Sequence, residues 1–163
     1  LNAEQAMFWY LNGYSALFGS SQVGSVKKVQ PTFSSCYGAA FLPRNPQVYA
    51  DLFRALLEAS SAQVYLVNTG WTGGVCGSGG RRIPVDTTKK IMHAIHTKEV
   101  LRAPRTTVSA FSLQIPRKIS GVQDDFLDAK NGWEDLAAYK QYHDVLYKAC
   151  MQNFQKQFVL QES

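Results

Sequence analysis

The stretch that decides the fold is NPQVYADLFRALLEASSAQVYLVNTGW, residues 45–71. Asn45 offers a capping side chain, and Pro46 follows at the first helical position, where its missing N–H costs nothing. Tyr49, Leu52, Phe53, Leu56 and Leu57 then recur at three-to-four spacing, which predicts an amphipathic helix that Ser60 and Ser61 end. Val64-Tyr65-Leu66-Val67 is a short continuous apolar run, the pattern of a strand covered on both faces. A helix, a tight turn and a buried strand make an α/β rhythm.

Working outward, the N-terminal segment reads as a helix. Asn2 and Gln5 form a capping-box pair, and Ala3, Met7, Tyr10, Leu11 and Tyr14 follow at helical spacing. Residues 19–30 mix Gly, Ser, Gln and Lys without a period and predict a mobile loop. The segment after Pro31, of small and aromatic residues, predicts a mostly buried strand or turn. Downstream of Asn68 the chain turns glycine-rich, with six glycines among the twelve residues from Thr69 to Gly80. Asp86 or Thr87 then predicts a helix start, with Ile91, Met92 and Ile95 on its inner side. Val108–Ile115 predicts a strand in an irregular basic region broken by Pro104 and Pro116. Asn131-Gly132-Trp133 opens a long helix with Leu136, Tyr139, His143, Leu146, Tyr147, Cys150, Phe154 and Phe158 on one face.

The 163 residues are 45% hydrophobic and 18% charged, a globular composition with room for one domain. No apolar run reaches the roughly 20 residues that span a bilayer, and the beginning lacks a signal-peptide layout. Three cysteines, Cys36, Cys76 and Cys150, have no close spacing. They read as reduced thiols, Cys36 and Cys150 in the core and Cys76 in a loop, consistent with a cytoplasmic protein. The net charge of +5 is uneven: +1 over residues 1–80, +7 over 81–118 and −3 over 119–163. The middle segment is where a polyanionic partner would bind.

Familiar catalytic signatures fail residue by residue. Gly74 and Gly79 have Walker spacing, but Gly80-Arg81 stand where Lys-Ser/Thr is required. Gly77 and Gly79 lack the third glycine of a dinucleotide fingerprint. His93 and His96 lie three apart without the Glu of a zinc-protease helix, and no serine-hydrolase elbow occurs. Asp124, Asp125 and Asp128 read as a solvated acidic loop. The glycine-rich turn followed by arginines and a helix start nevertheless matches how proteins present N–H groups and positive charge to phosphates.

Three motifs carry a family resemblance: PTFSSCYGAAF at 31–41, LVNTGW at 66–71, and Gly80-Arg81-Arg82-Ile83 with Thr88. Together with FSLQIP at 111–116 and Gly121-Val122, their order and spacing resemble the C-terminal region of ATP-dependent phosphoenolpyruvate carboxykinase. The resemblance runs from about Leu1 to Phe158 and implies one incomplete carboxykinase-like region. Its parts would be a helix and lid loop (1–30), a sheet core with the glycine-rich nucleotide loop (31–120), and an acidic loop and last helix (121–163). The implied fold is mixed α/β, with helices covering a central sheet.

That family turns oxaloacetate and ATP into phosphoenolpyruvate, ADP and carbon dioxide, a step of gluconeogenesis, using divalent metals such as Mg and Mn. Position by position, the resemblance assigns nucleotide contact to Arg82, Ile83 and Thr88, and an active-site lid to the loop containing Gly13, Gly19 and Gly24. The lid departs from the family pattern, with Ser20-Ser21 and Val26-Lys27-Lys28 where Thr-Glu pairs are usual. The P-loop, the metal ligands and the oxaloacetate-binding residues of the family have no counterpart in these residues, so no catalytic residue is assigned and the chain by itself is expected to be inactive. Its expected partners are ATP, oxaloacetate by way of the missing part, and the remainder of the enzyme or another protein; a membrane or nucleic acid is not expected. The alternative is a carboxykinase-like module without catalysis that binds a protein or nucleic acid through 81–118.

Overall fold

The computed structural model describes residues 1–17, 30–108 and 110–159. They belong to two compact units, Leu1–Leu66 with Val145–Ser163, and Val67–Asp144. The mixed α/β class holds, and among the described residues the strands pair as three two-stranded antiparallel ribbons. None of the described helices is long and apolar enough to cross a membrane. The predicted loop at 19–30, with Gly19 and Gly24, lies outside the described residues up to Gln30, as does the side chain of Phe158.

In the first unit, α1 (Ala3–Asn12) starts with the expected capping box: Asn2 Oδ1 accepts from the Gln5 amide at 2.8 Å, and Gln5 Oε1 from the Asn2 amide at 3.0 Å. Gly13 ends it in the left-handed region, φ 53° and ψ 40°, donating its N–H to Trp9 O. The chain turns straight into β1 (Tyr14–Leu17), which pairs with β2 (Gln30–Phe33), Tyr14 opposite Phe33. Only glycine fits at position 13, because a Cβ there would overlap the Ser34 carbonyl oxygen. Two 3-10 turns follow, Ser35–Tyr37 and Ala39–Phe41, with Cys36 and Tyr37 both at positive φ. Helix α2 (Pro46–Ala59) begins where Asn45 Oδ1 accepts from the Gln47 amide, and ends at Ser60, as the sequence predicts.

Met7, Leu11 and Ala50 form the core, joined by Tyr10, Phe53 and Phe154. Asn12, fully buried, donates to Phe8 O and accepts from Asn153 Nδ2 at 3.1 Å, so its polar groups are satisfied. Cys150 is fully buried, whereas Cys36 is only half-buried; all three thiols are free. Burial pushes the Cys150 thiol up to about 11.

In the second unit, β3 (Trp71–Thr72) and β4 (Arg81–Arg82) form a short ribbon closed by the glycine-rich turn at 73–80. Helix α3 (Val85–His96) and the short α4 (Glu99–Arg102) lead into β5 (Arg105–Val108), which pairs with β6 (Leu113–Pro116). Then come α5 (Asp124–Leu127), a 3-10 turn at Ala129–Gly132, and α6 (Leu136–Val159), whose residues from Val145 on belong to the first unit. Ala94, Ile119 and Val122 make this unit's core, packed by Ile91, Val100, Phe126 and Leu127.

Four local readings are corrected. Residues 64–67 form no strand. They lie outside any helix or strand, Leu66 is exposed, and Val64 O accepts from the Leu1 amine; a strand needs a neighbour for its backbone groups, and the described residues provide none. Pro84, not Asp86 or Thr87, is the cap of α3, its extended φ and ψ leaving Asp86 in the first turn, where a carboxylate suits the helix dipole. The predicted strand at 108–115 is a hairpin turned between β5 and β6, with Ser112 at φ 51°. The last helix starts at Leu136 rather than at Asn131, because Asp135 Oδ1 accepts from the Ala137 and Ala138 amides.

Candidate functional site

A cleft of about 330 Å³ in the second unit gathers the basic residues at the end of the glycine-rich turn. Arg81 and Arg82 reach it from β4, Pro84 and Thr87 from the start of α3, and Lys90 from one turn further along. Gly121, Gln123 and Phe126 complete the lining. The ribbon fixes where the arginines stand: Trp71 opposes Arg82, Thr72 opposes Arg81, and Ile83 N donates to Gly70 O at 2.8 Å.

Each basic side chain is held differently. The Arg81 guanidinium pairs with the Asp125 carboxylate and lies 4.8 Å from the centre of the Phe126 ring. Asp125 is itself fastened, since Thr72, nearly fully buried, donates its hydroxyl to Asp125 O at 3.0 Å. Arg82 lies over the Trp71 ring at 5.3 Å, in an exposed position. Lys90 Nζ donates to Gly121 O at 3.0 Å, tying α3 to the loop before α5. The cleft therefore combines positive charge, two apolar lining groups (Pro84 and Phe126) and two neutral polar ones (Thr87 and Gln123). A small anionic ligand with an apolar ring suits that chemistry.

Of the three residues expected at a nucleotide, Arg82 lines this cleft. Ile83 is buried, 4% exposed, directly behind it in sequence, and Thr88 is half-buried with its hydroxyl 3.5 Å from Pro84 O, in the first turn of α3. Neither lines the cleft, although each adjoins a residue that does. The sequence reading missed Arg81, Thr87, Lys90, Gln123 and Phe126. The +7 charge of 81–118 was the available signal for the first and third. Asp125, read as part of a solvated loop, is instead drawn in by Arg81, with its side chain 22% exposed. Gly13 is buried between α1 and the β1–β2 ribbon. His93 and His96 are both exposed, and the described residues hold no group of three or more His, Cys, Asp or Glu able to bind a metal.

Comparison with known proteins fits this arrangement into a family. The family model described as phosphoenolpyruvate carboxykinase matches residues 1–125. The chain belongs to the ATP-dependent phosphoenolpyruvate carboxykinase family. It is 38% identical over 156 residues to the phosphoenolpyruvate carboxykinase (ATP) of Sulfurimonas denitrificans, a match that covers 96% of this chain and 29% of that protein. A Staphylococcus aureus carboxykinase is 39% identical with the same coverage, and that of Dictyostelium discoideum 38%, covering 27% of its length. The chain thus corresponds to a C-terminal part of these carboxykinases and spans less than a third of their length.

Proposed function

We propose that this chain supplies the nucleotide side of an ATP-dependent phosphoenolpyruvate carboxykinase, the Arg82 cleft receiving the adenosine end of ATP. The supporting observation is the cleft itself, which sets Arg82 between Arg81 and Lys90 at the end of a glycine-rich turn in a carboxykinase-family chain. In this reading the Arg82 guanidinium stacks on or hydrogen-bonds the nucleoside, Ile83 backs the site from the core, and Thr88 holds the first turn of α3. Arg81 is a strut, since Asp125 and Phe126 occupy its guanidinium.

The loop containing Gly13, Gly19 and Gly24 is proposed as an active-site lid, with Gly13 fixing where β1 begins. Oxaloacetate, Mg or Mn, and the transfer of the phosphoryl group are proposed to belong to the part of a carboxykinase that this chain does not span.

The test is titration of the 163-residue chain with ATP by calorimetry. Arg82→Ala should weaken binding about tenfold or more, the loss of a charge-assisted contact, while Lys118→Ala should leave it unchanged. ATP binding that ignores Arg82 would overturn the assignment. The alternative module has the +7 charge of 81–118 in its favour. It predicts instead binding to nucleic acid that falls steeply with salt and shows no base preference.

A further inference from the structure

The side chains that line the Arg82 cleft divide by what they can still bond. Arg81 is held by Asp125 and Phe126, and Lys90 Nζ by Gly121 O at 3.0 Å. Arg82 lies over the Trp71 ring. These three cations can only donate. Gln123 differs. It stands just before α5, yet its side chain does not cap that helix and has no hydrogen-bond partner among the described residues. Its backbone is held, since Gln123 O accepts from Phe126 N at 3.1 Å and the Lys90–Gly121 bond fastens the chain just before it. A primary amide kept at the cleft, with its donor end and its acceptor end both uncommitted, can read a ligand that offers one of each.

Purines separate on this point. Adenine sets a donor, its N6 amino group, beside an acceptor, N7, whereas guanine sets two acceptors, O6 and N7, side by side. Arginine and lysine suit the guanine pair; a glutamine amide suits the adenine pair, accepting from N6 and donating to N7. The cations of this cleft would by themselves favour guanine. Thr87, the other neutral polar side chain in the lining, has a hydroxyl that rotates to donate or accept, so it meets either base. Only the Gln123 amide turns the lining toward adenine. Pro84 and Phe126, the latter one turn beyond Gln123, give a flat purine its apolar contacts.

We propose that Gln123 is the specificity-determining residue of the cleft, its Oε1 accepting from the N6 amino group of adenine and its Nε2 donating to N7. The inference rests on the nucleotide reading of the cleft and adds to it the group that selects the base.

The experiment titrates the 163-residue chain by calorimetry with ATP, GTP and 7-deaza-ATP, in which a C–H group replaces N7. The parent should bind ATP about tenfold or more tighter than GTP, and about threefold or more tighter than 7-deaza-ATP. Gln123→Leu keeps the bulk and removes both bonding groups, and should bring each ratio within about twofold of unity. Gln123→Arg should turn the preference toward GTP. A parent that binds ATP and GTP alike, or one indifferent to the loss of N7, overturns the proposal, and this comparison needs no variant to fold. Ratios that Gln123→Leu leaves unchanged overturn it too. If ATP binding is also weakened by Arg82→Ala, such a result overturns this proposal alone and leaves the nucleotide reading standing. No ATP binding, or binding that ignores Arg82, overturns both together.

Discussion

Replacing Gly13 by alanine should unfold the first unit far more readily, and the size of the effect follows from three separable costs. Holding alanine at φ 53° costs about 1 to 2 kcal/mol. The new methyl group would overlap the Ser34 carbonyl, so the backbone at 34 must retreat, and the bond from Ser34 N to Gly13 O, 3.1 Å long, is lost at about 1 kcal/mol. Shifting the ribbon away from α1 then strains packing that overfilling ordinarily penalises by about 1 kcal/mol or more. The total, about 3 to 4 kcal/mol, is a large share of a small unit's stability. Hydrogen exchange read by mass spectrometry on α1 and α2 peptides should show protection falling about a hundredfold or more. Gly13→Asn is the informative companion, because asparagine tolerates the left-handed region but still carries a Cβ. If the close approach of Ser34 dominates, asparagine should be nearly as damaging as alanine. Protection within threefold of the parent in both variants would refute the reasoning, and full rescue by asparagine would refute the steric part of it.

Thr72→Val should cost about 1 to 2 kcal/mol in the second unit, seen as a lower urea midpoint, because it removes the hydroxyl bonded to Asp125 O while keeping the shape. Asp125→Asn should loosen Arg81 and widen the cleft, weakening ATP binding less than Arg82→Ala does in the same calorimetric titration. Alkylation by iodoacetamide at pH 8 should reach Cys76 first and Cys150 only on unfolding, since burial leaves about 0.1% of the Cys150 thiol ionised at that pH. Because the folded state holds this proton above the ordinary thiol value of 9.0, its contribution to stability is complete below pH 9 and is lost as pH rises through about 11. Tyr14 and Tyr37, raised first by burial and then by Cys150, act in the same direction. Cys150→Ala should flatten the alkaline fall in stability measured by urea titration.

The parts of the fold that were legible in the sequence are those decided by neighbouring residues. Asn2 and Gln5 cap α1, and Asn45 with Pro46 starts α2, because a cap needs only side chains within three positions of the amides it serves. The run at 64–67 was misread because an apolar string shows that a segment can be covered, not that a partner strand is at hand. The hairpin at 105–116 was hidden by a turn without the usual Asn-Gly or Pro-Gly signal, closed instead with Ser112 in the left-handed region. At the candidate site, Arg82 came from a motif, whereas Arg81 and Lys90 were missed although the charge density of 81–118 pointed to that segment. Phe126 and Gln123 could not be seen, since they lie about forty residues away and reach the cleft only through the Thr72–Asp125 and Lys90–Gly121 bonds. Asp125 looked like a solvated acid because nothing local distinguishes a carboxylate facing water from one facing a distant guanidinium.

Photolabelling with 8-azido-ATP, followed by peptide mapping of the cross-linked chain, locates the nucleotide most directly. Labels confined to residues 81–90 and 121–126, competed by ATP and lost in Arg82→Ala, are the predicted outcome. Labels elsewhere on the chain, or labelling that excess ATP does not displace, would contradict the claim that this carboxykinase-family chain forms an adenosine site.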